Sequence, residues 1–152
     1  MGVLSKDTVN FSALLTFAIA GEDYCLNNSI VTSIIKPDRI CNISALTSKY
    51  SLLHIKSKFI PLIDLKKIFL GEEQKINSQT RAIIIEYREI QFGLLVEKVK
   101  EIIASDSDSL RTSGKFDFEE NPLKYTDGTL KLESGKLLFV NIDRIIKHID
   151  YF

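Results

Sequence analysis

The chain is poor in the residues that most often do chemistry. Its 152 residues include two histidines, His54 and His148, and two cysteines, Cys25 and Cys41. A nucleophile–histidine–carboxylate site needs a positioned imidazole. His54 falls inside an apolar stretch and His148 on the polar side of a C-terminal helical pattern, so neither joins a constellation. A metal site needs three or four clustered ligands, and the cysteines lie sixteen positions apart with no histidine pair beside them. Gly135-Lys136 lacks the preceding glycine and strand-to-helix setting of a phosphate loop. We therefore expect no enzymatic activity and no cofactor or metal. Charge of one sign is also missing: twenty basic residues balance twenty acidic ones. No global field draws the chain to nucleic acid or anionic lipid. The longest weakly polar run, Ala13 to Ala20, is far shorter than the roughly 18–20 apolar residues that span a bilayer, so direct membrane insertion is not expected. The N-terminus lacks a basic region followed by an apolar core, and two cysteines without an export signal read as free thiols, so a cytoplasmic protein is expected.

What the chain does have is a series of short apolar segments broken by turns. Residues 1–13 form a loose lead-in, and one domain is expected over 14–152. Leu15, Phe17 and Ile19 alternate with Thr16 and Ala18, and Gly21-Glu22-Asp23 turns into Tyr24-Cys25-Leu26, a hairpin. Asn27, Asn28 and Ser29 can cap a helix carrying Ile30, Val31, Ile34 and Ile35, which Pro37 ends. Residues 38–50 read as a loop with a short irregular strand. Leu52 to Ile55 and Phe59 to Ile63 flank Lys56-Ser57-Lys58, a second hairpin. Asp64 then caps a helix with Leu65, Ile68 and Phe69, stopped by Gly71. Ala82 to Ile85 and Ile90 to Val96 are strands joined near Arg88-Glu89, and Val99, Ile102 and Ile103 continue the apolar pattern in an element of undetermined type. Ala104 to Asn121, rich in Ser, Asp and Glu, reads as a long mobile loop. Tyr125 to Leu132 and Lys136 to Val140 make a further hairpin. Asn141 caps a last helix whose Ile142, Ile145, Ile146 and Ile149 form one apolar stripe. Such a stripe needs a partner, so Ile145 and Ile149 are expected to be buried. Frequent short strands with hairpin turns predict a mainly β fold with short helices.

The stretch Ser51 to Leu65, with its Lys-Ser turn, Ile60-Pro-Leu-Ile-Asp64 and following helix, resembles the central signature of CheW-like domains. Leu15 to Tyr24, Asn27 to Ile34, Phe92 to Val99 and Leu137 to Ile142 are similar to further segments of that family, in the same order. The departures are Lys56-Ser57 for the family's Arg-Gly, His54 for Asn, Ser33 for Glu, Glu97 for Asp, and no glycine ahead of the central strand. Lysine lacks the planar fork of arginine, so if the positions of Ser33 and Lys56 pair in the family, the resemblance implies that this pair is lost here.

The resemblance implies two packed, small five-stranded β-barrel (SH3-like) subdomains. It also implies a non-catalytic adaptor that couples the cytoplasmic tips of methyl-accepting chemoreceptors to the regulatory domain of the histidine kinase CheA, recruited to membrane-associated receptor arrays. It places a receptor-binding groove at Val31, Leu95 and Val96, with Lys56 nearby, and leaves the kinase-binding residues unassigned. The alternative is a divergent CheW-like or other small-barrel interaction module acting outside the chemotaxis array.

Overall fold

Among the described residues, alternating side chains and tight turns give twelve strands, two short helices and one 3-10 turn. The computed structural model describes residues 13–37, 40–41, 51–104, 117–120, 124–132 and 135–147. The strands are β1 (Ala13–Ile19), β2 (Glu22–Asn27), β3 (Val31–Ile35), β4 (Ile40–Cys41), β5 (Ser51–Ile55), β6 (Lys58–Asp64), β7 (Arg81–Tyr87), β8 (Ile90–Val96), β9 (Lys98–Ala104), β10 (Asp117–Glu120), β11 (Thr126–Leu132) and β12 (Gly135–Val140). The helices are α1 (Leu65–Leu70) and α2 (Ile142–Ile146). The chain divides into two units. One takes the residues up to Ser29 together with Lys100–Ile145; the other takes Ile30–Val99 and the residues from Ile146 onward.

The first unit holds a sheet in the order β10-β11-β12-β2-β1-β9, and the second a sheet in the order β3-β7-β8-β6-β5-β4. Each has five strands of five to seven residues and one shorter edge strand, β10 with four residues or β4 with two. The expected five-stranded units are therefore present, each with a short sixth strand. Most neighbours run antiparallel. The parallel pairs are β12 with β2 and β6 with β8.

In the first unit, Leu14, Cys25, Ile103, Leu130, Leu137 and Phe139 form a buried cluster. Phe17 and Tyr24 face each other across β1 and β2 and stack at 5.9 Å. Thr16 Oγ1 donates to the Glu101 carbonyl and accepts from the Glu101 amide, both at 3.0 Å, which fixes β9 beside β1. In the second unit, Leu53, Ile60, Leu62, Ala82, Ile84 and Leu95 cluster, with Ile35 and Ile55 packed against them.

Both helices are capped as their sequences predict. Asp64 Oδ1 accepts from the Lys67 amide at 3.2 Å, and Gly71 ends α1 with φ of 79°, a left-handed cap that favours glycine. Asp64 Oδ2 also accepts from the Gln74 amide at 2.8 Å, so the same carboxylate ties down the following loop. Asn141 Oδ1 accepts from the Arg144 amide at 2.9 Å. Ile145 is fully buried, as its stripe requires, while Ile149 and His148 lie outside the described residues.

Two expectations are corrected. The segment after Asn27 is not a helix: Asn28–Ile30 makes a single 3-10 turn, and Val31–Ile35 runs as β3 against β7. Ile30, Val31, Ile34 and Ile35 fit helical spacing, but β-branched residues favour a pleated strand when a partner is available. The proposed loop over 104–121 contains β10, whose Asp117–Glu120 pairs with Lys131–Gly128. The untyped segment around Ile102 is a strand, β9.

Three hairpins turn on two residues with positive φ: Ala20-Gly21 (50°, 86°), Lys56-Ser57 (46°, 69°) and Arg88-Glu89 (53°, 65°). Positive φ at both turn residues matches the strand twist, and glycine normally supplies the second. Ser57 therefore carries a steric penalty of about 1–2 kcal/mol that glycine would avoid. Part of that gain is offset by the greater freedom of glycine in the unfolded chain. Ser57→Gly is expected to stabilise the protein by about 0.5–1 kcal/mol, measured as a higher urea midpoint at unchanged slope.

Cys25 is a free thiol, fully buried, and desolvation raises its pKa well above the ordinary value of 9.0. Tyr24 is raised as well, by burial first and by Glu22 second. A raised acid pKa favours the folded state below the unfolded value, and that stabilisation is lost as pH rises past it. Stability should therefore fall with a proton-linked slope above pH 9. Titrating the denaturation midpoint from pH 8 to 11 checks this, and Cys25→Ala should flatten the part that begins near pH 9.

Candidate functional site

The strand registers of the second unit place the four residues assigned to the groove. Val31 opens β3 opposite Ile85 and is half-buried. Ile85 stands opposite Phe92, Ile83 opposite Leu94, and Arg81 opposite Val96. Successive residues of a strand point to opposite faces, so Val31, Ile83, Ile85, Phe92, Leu94 and Val96 share one face. Leu95 points to the other, into the cluster with Leu53, Leu62 and Ile84. Leu95 is 5% exposed and Val96 fully buried. The two thus cannot line one groove together, and neither offers a surface anchor.

Lys56 is exposed in the β5–β6 turn. β6 and β8 are parallel, with Leu62 beside Gly93 and Asp64 beside Leu95. Lys58, at the turn end of β6, is six residues from Asp64, or about 20 Å along the strand. Lys56 and Leu95 therefore sit at opposite ends of the sheet, and the structure does not bring the four residues together. Val31 and Val96 remain on one face, and Lys56 marks a separate surface.

His54 lies on β5, half-buried, directly opposite Phe59 on β6, with the rings stacked at 4.6 Å and 16°. Phe59 is 57% exposed. The sequence reading passed over this pair, although the alternation of Leu52, His54, Phe59 and Pro61 against Leu53, Ile60 and Leu62 gives it. Among the described residues, no group of three His, Cys, Asp or Glu side chains is placed to hold a metal ion, and no helix is long and apolar enough to cross a membrane.

Two largely antiparallel sheets, each with its own buried apolar cluster, define a mainly β chain of two small units. Residues 13–150 match the family model of the CheW-like domain, and the chain belongs to that family. It is similar to the chemotaxis protein CheW of Bacillus subtilis (strain 168), with 29% identity over 93 residues, which is 59% of this chain and 58% of that protein. It is also similar to the crystal structure of the scaffolding protein TtCheW from Thermoanaerobacter tengcongensis, with a TM-score of 0.70 and 25% identity. That likeness covers 86% of this chain and 89% of that one. The expected CheW-like, mainly β domain is what these comparisons support.

Proposed function

We propose that this protein is a cytoplasmic, non-catalytic adaptor that couples chemoreceptors to the histidine kinase CheA and is recruited to receptor arrays at the membrane. The observation that carries this reading is the family match, which runs through both sheets from residue 13 to residue 150. Val31 is the receptor anchor in this reading. It stands half-buried on edge strand β3, with the buried side chains of Ile85 and Phe92 beside it on the same face. Val96 shapes that face from within and Leu95 the core behind it. Lys56 is a separate contact point at the hairpin tip. An amphipathic receptor helix laid on this face would gain affinity by burying aliphatic anchors.

The test is a pull-down of the protein with CheA and with receptor cytoplasmic fragments from the same cell. Failure to retain either partner overturns the coupling role. A charge at position 31 opposes an apolar partner, and loss of one anchor costs about 2 kcal/mol or more of affinity. Val31→Glu is expected to keep its Tm within a few degrees, lose receptor binding and retain CheA. Normal receptor affinity in the folded variant would remove Val31 from the site, and a collapsed Tm would make it a core residue.

A further inference from the structure

β9 is an edge strand of the first sheet. Among the described residues it has β1 on one side and no strand on the other. Its side chains do little to hold it. Of the seven residues from Lys98 to Ala104 only Ile103 is buried, in the cluster with Leu14, Cys25, Leu130, Leu137 and Phe139. Lys98, Lys100, Glu101 and Ile102 are exposed, and Ile102 keeps 56% of its surface in water. β1 is the opposite case, with Leu14, Leu15, Thr16, Phe17 and Ile19 all buried. A strand with few buried apolar contacts belongs to the low end of local stability.

The side-chain contacts that fasten β9 are mainly polar. Lys100 Nζ donates to both carboxylate oxygens of Asp23 on β2, at 3.2 and 3.0 Å. The two side chains are 41% and 37% exposed, and an ion pair so wet contributes little. The Thr16 hydroxyl is placed differently. Thr16 is 2% exposed and stands opposite Cys25 in the β1–β2 register. It uses its one O–H donor on the Glu101 carbonyl and a lone pair on the Glu101 amide. One side chain of β1 thus serves both main-chain polar groups of a β9 residue 85 positions later. Valine has nearly the same shape and would leave both groups without that partner.

We propose that β9 is a strap that opens while the other strands of its sheet stay paired, and that the Thr16 hydroxyl is the latch that sets how rarely it opens. Opening withdraws Ile103 from the buried cluster and uncovers one edge of β1. Both bonds of the hydroxyl end on β9, so its loss weakens the closed strap directly. Thr16, Asp23, Lys100, Glu101 and Ile103 all belong to the first unit and Val31 to the second, so the strap stands whatever binds at Val31.

The experiment is native-state hydrogen exchange on the full chain, read residue by residue by NMR at rising urea below the unfolding transition. A strap that opens alone exposes less surface than the whole sheet, so its exchange depends less steeply on urea. The reporter is the Glu101 amide, which donates to Thr16 Oγ1. It is expected to exchange about tenfold or more faster than the slowest amides of β2 and β12, with a shallower urea slope. Thr16→Val is expected to speed exchange across β9 about tenfold or more at that same shallow slope, since two hydrogen bonds are lost. Thr16→Ser keeps the hydroxyl and should stay within about threefold of the wild type. A Glu101 amide as slow and as urea-dependent as those of β2 and β12 would show that β9 opens only with the whole sheet and overturn the strap. Unchanged β9 exchange in Thr16→Val would overturn the latch. The wild-type series decides the first point even if Thr16→Val does not fold.

Discussion

Asn141→Ala is expected to destabilise the protein by about 2–5 kcal/mol, because one side chain does two jobs. Its Oδ1 caps α2 through the Arg144 amide, and its Nδ2 donates to Asp127 Oδ1 at 2.7 Å in a buried setting. Loss of a cap costs about 0.5–2 kcal/mol. Loss of a hydrogen bond to a charged group costs about 1.5–3 kcal/mol. Asn141 and Asp127 are 3% and 7% exposed, so water cannot readily replace the missing donor. Thermal unfolding should show a fall in Tm of roughly 5–20 °C at about 2–4 °C per kcal/mol for a chain of this size. Asn141→Asp separates the two contributions. It keeps the capping oxygen but replaces the donor with a second carboxylate beside Asp127. If Asn141→Asp matches the wild type, the cap alone carries the effect and the buried hydrogen bond carries nothing.

Phe92→Ala should cost about 3–5 kcal/mol, the range for truncating a fully buried phenylalanine. Phe92 is 0% exposed on β8, opposite Ile85 and next to Gly93. Relaxation into the cavity is limited on the other side of the strand. A Cβ at Gly93 would lie 3.0 Å from Leu62 Cδ1 and 3.3 Å from Ile84 Cδ1, so that side is already close-packed. Chemical denaturation is the check. A loss under 1 kcal/mol would mean that the site collapses around the missing ring.

Hairpins and caps were legible because their signals are local. The β1–β2, β5–β6, β7–β8 and β11–β12 pairs announce themselves as apolar runs around a turn, and Asp64, Gly71 and Asn141 mark helix ends. β3 was not legible. Isoleucine and valine in doublets satisfy both periods, and the partner that decides between them, Ile85 for Val31, is more than fifty positions away. β10 carries an acidic, polar sequence, and its strand exists only through pairing with β11. The parallel pairs leave no trace in local sequence. At the candidate site, the separation of Leu95 from Val96 was within reach, since adjacent strand residues must face opposite ways. The placement of Lys56 and Leu95 at opposite ends of the sheet was not, because it depends on the β6–β8 register.

The interleaving of the two units sets an order for their assembly during synthesis. The strands of the second sheet lie within Val31–Val96, so that sheet can close once this stretch has emerged. The first sheet cannot. Its β1 and β2 are made first, yet their neighbours β9 and β12 end at Ala104 and Val140. At roughly 5–20 residues per second, the span from β9 to the end of β12 takes about 2–9 s to translate. Throughout that interval β2 of the β1–β2 hairpin, with Cys25 destined for the core, lacks its neighbour β12. The nascent chain therefore holds a completed second sheet and an apolar hairpin whose own sheet is incomplete, which makes the N-terminal hairpin the segment most in need of a chaperone.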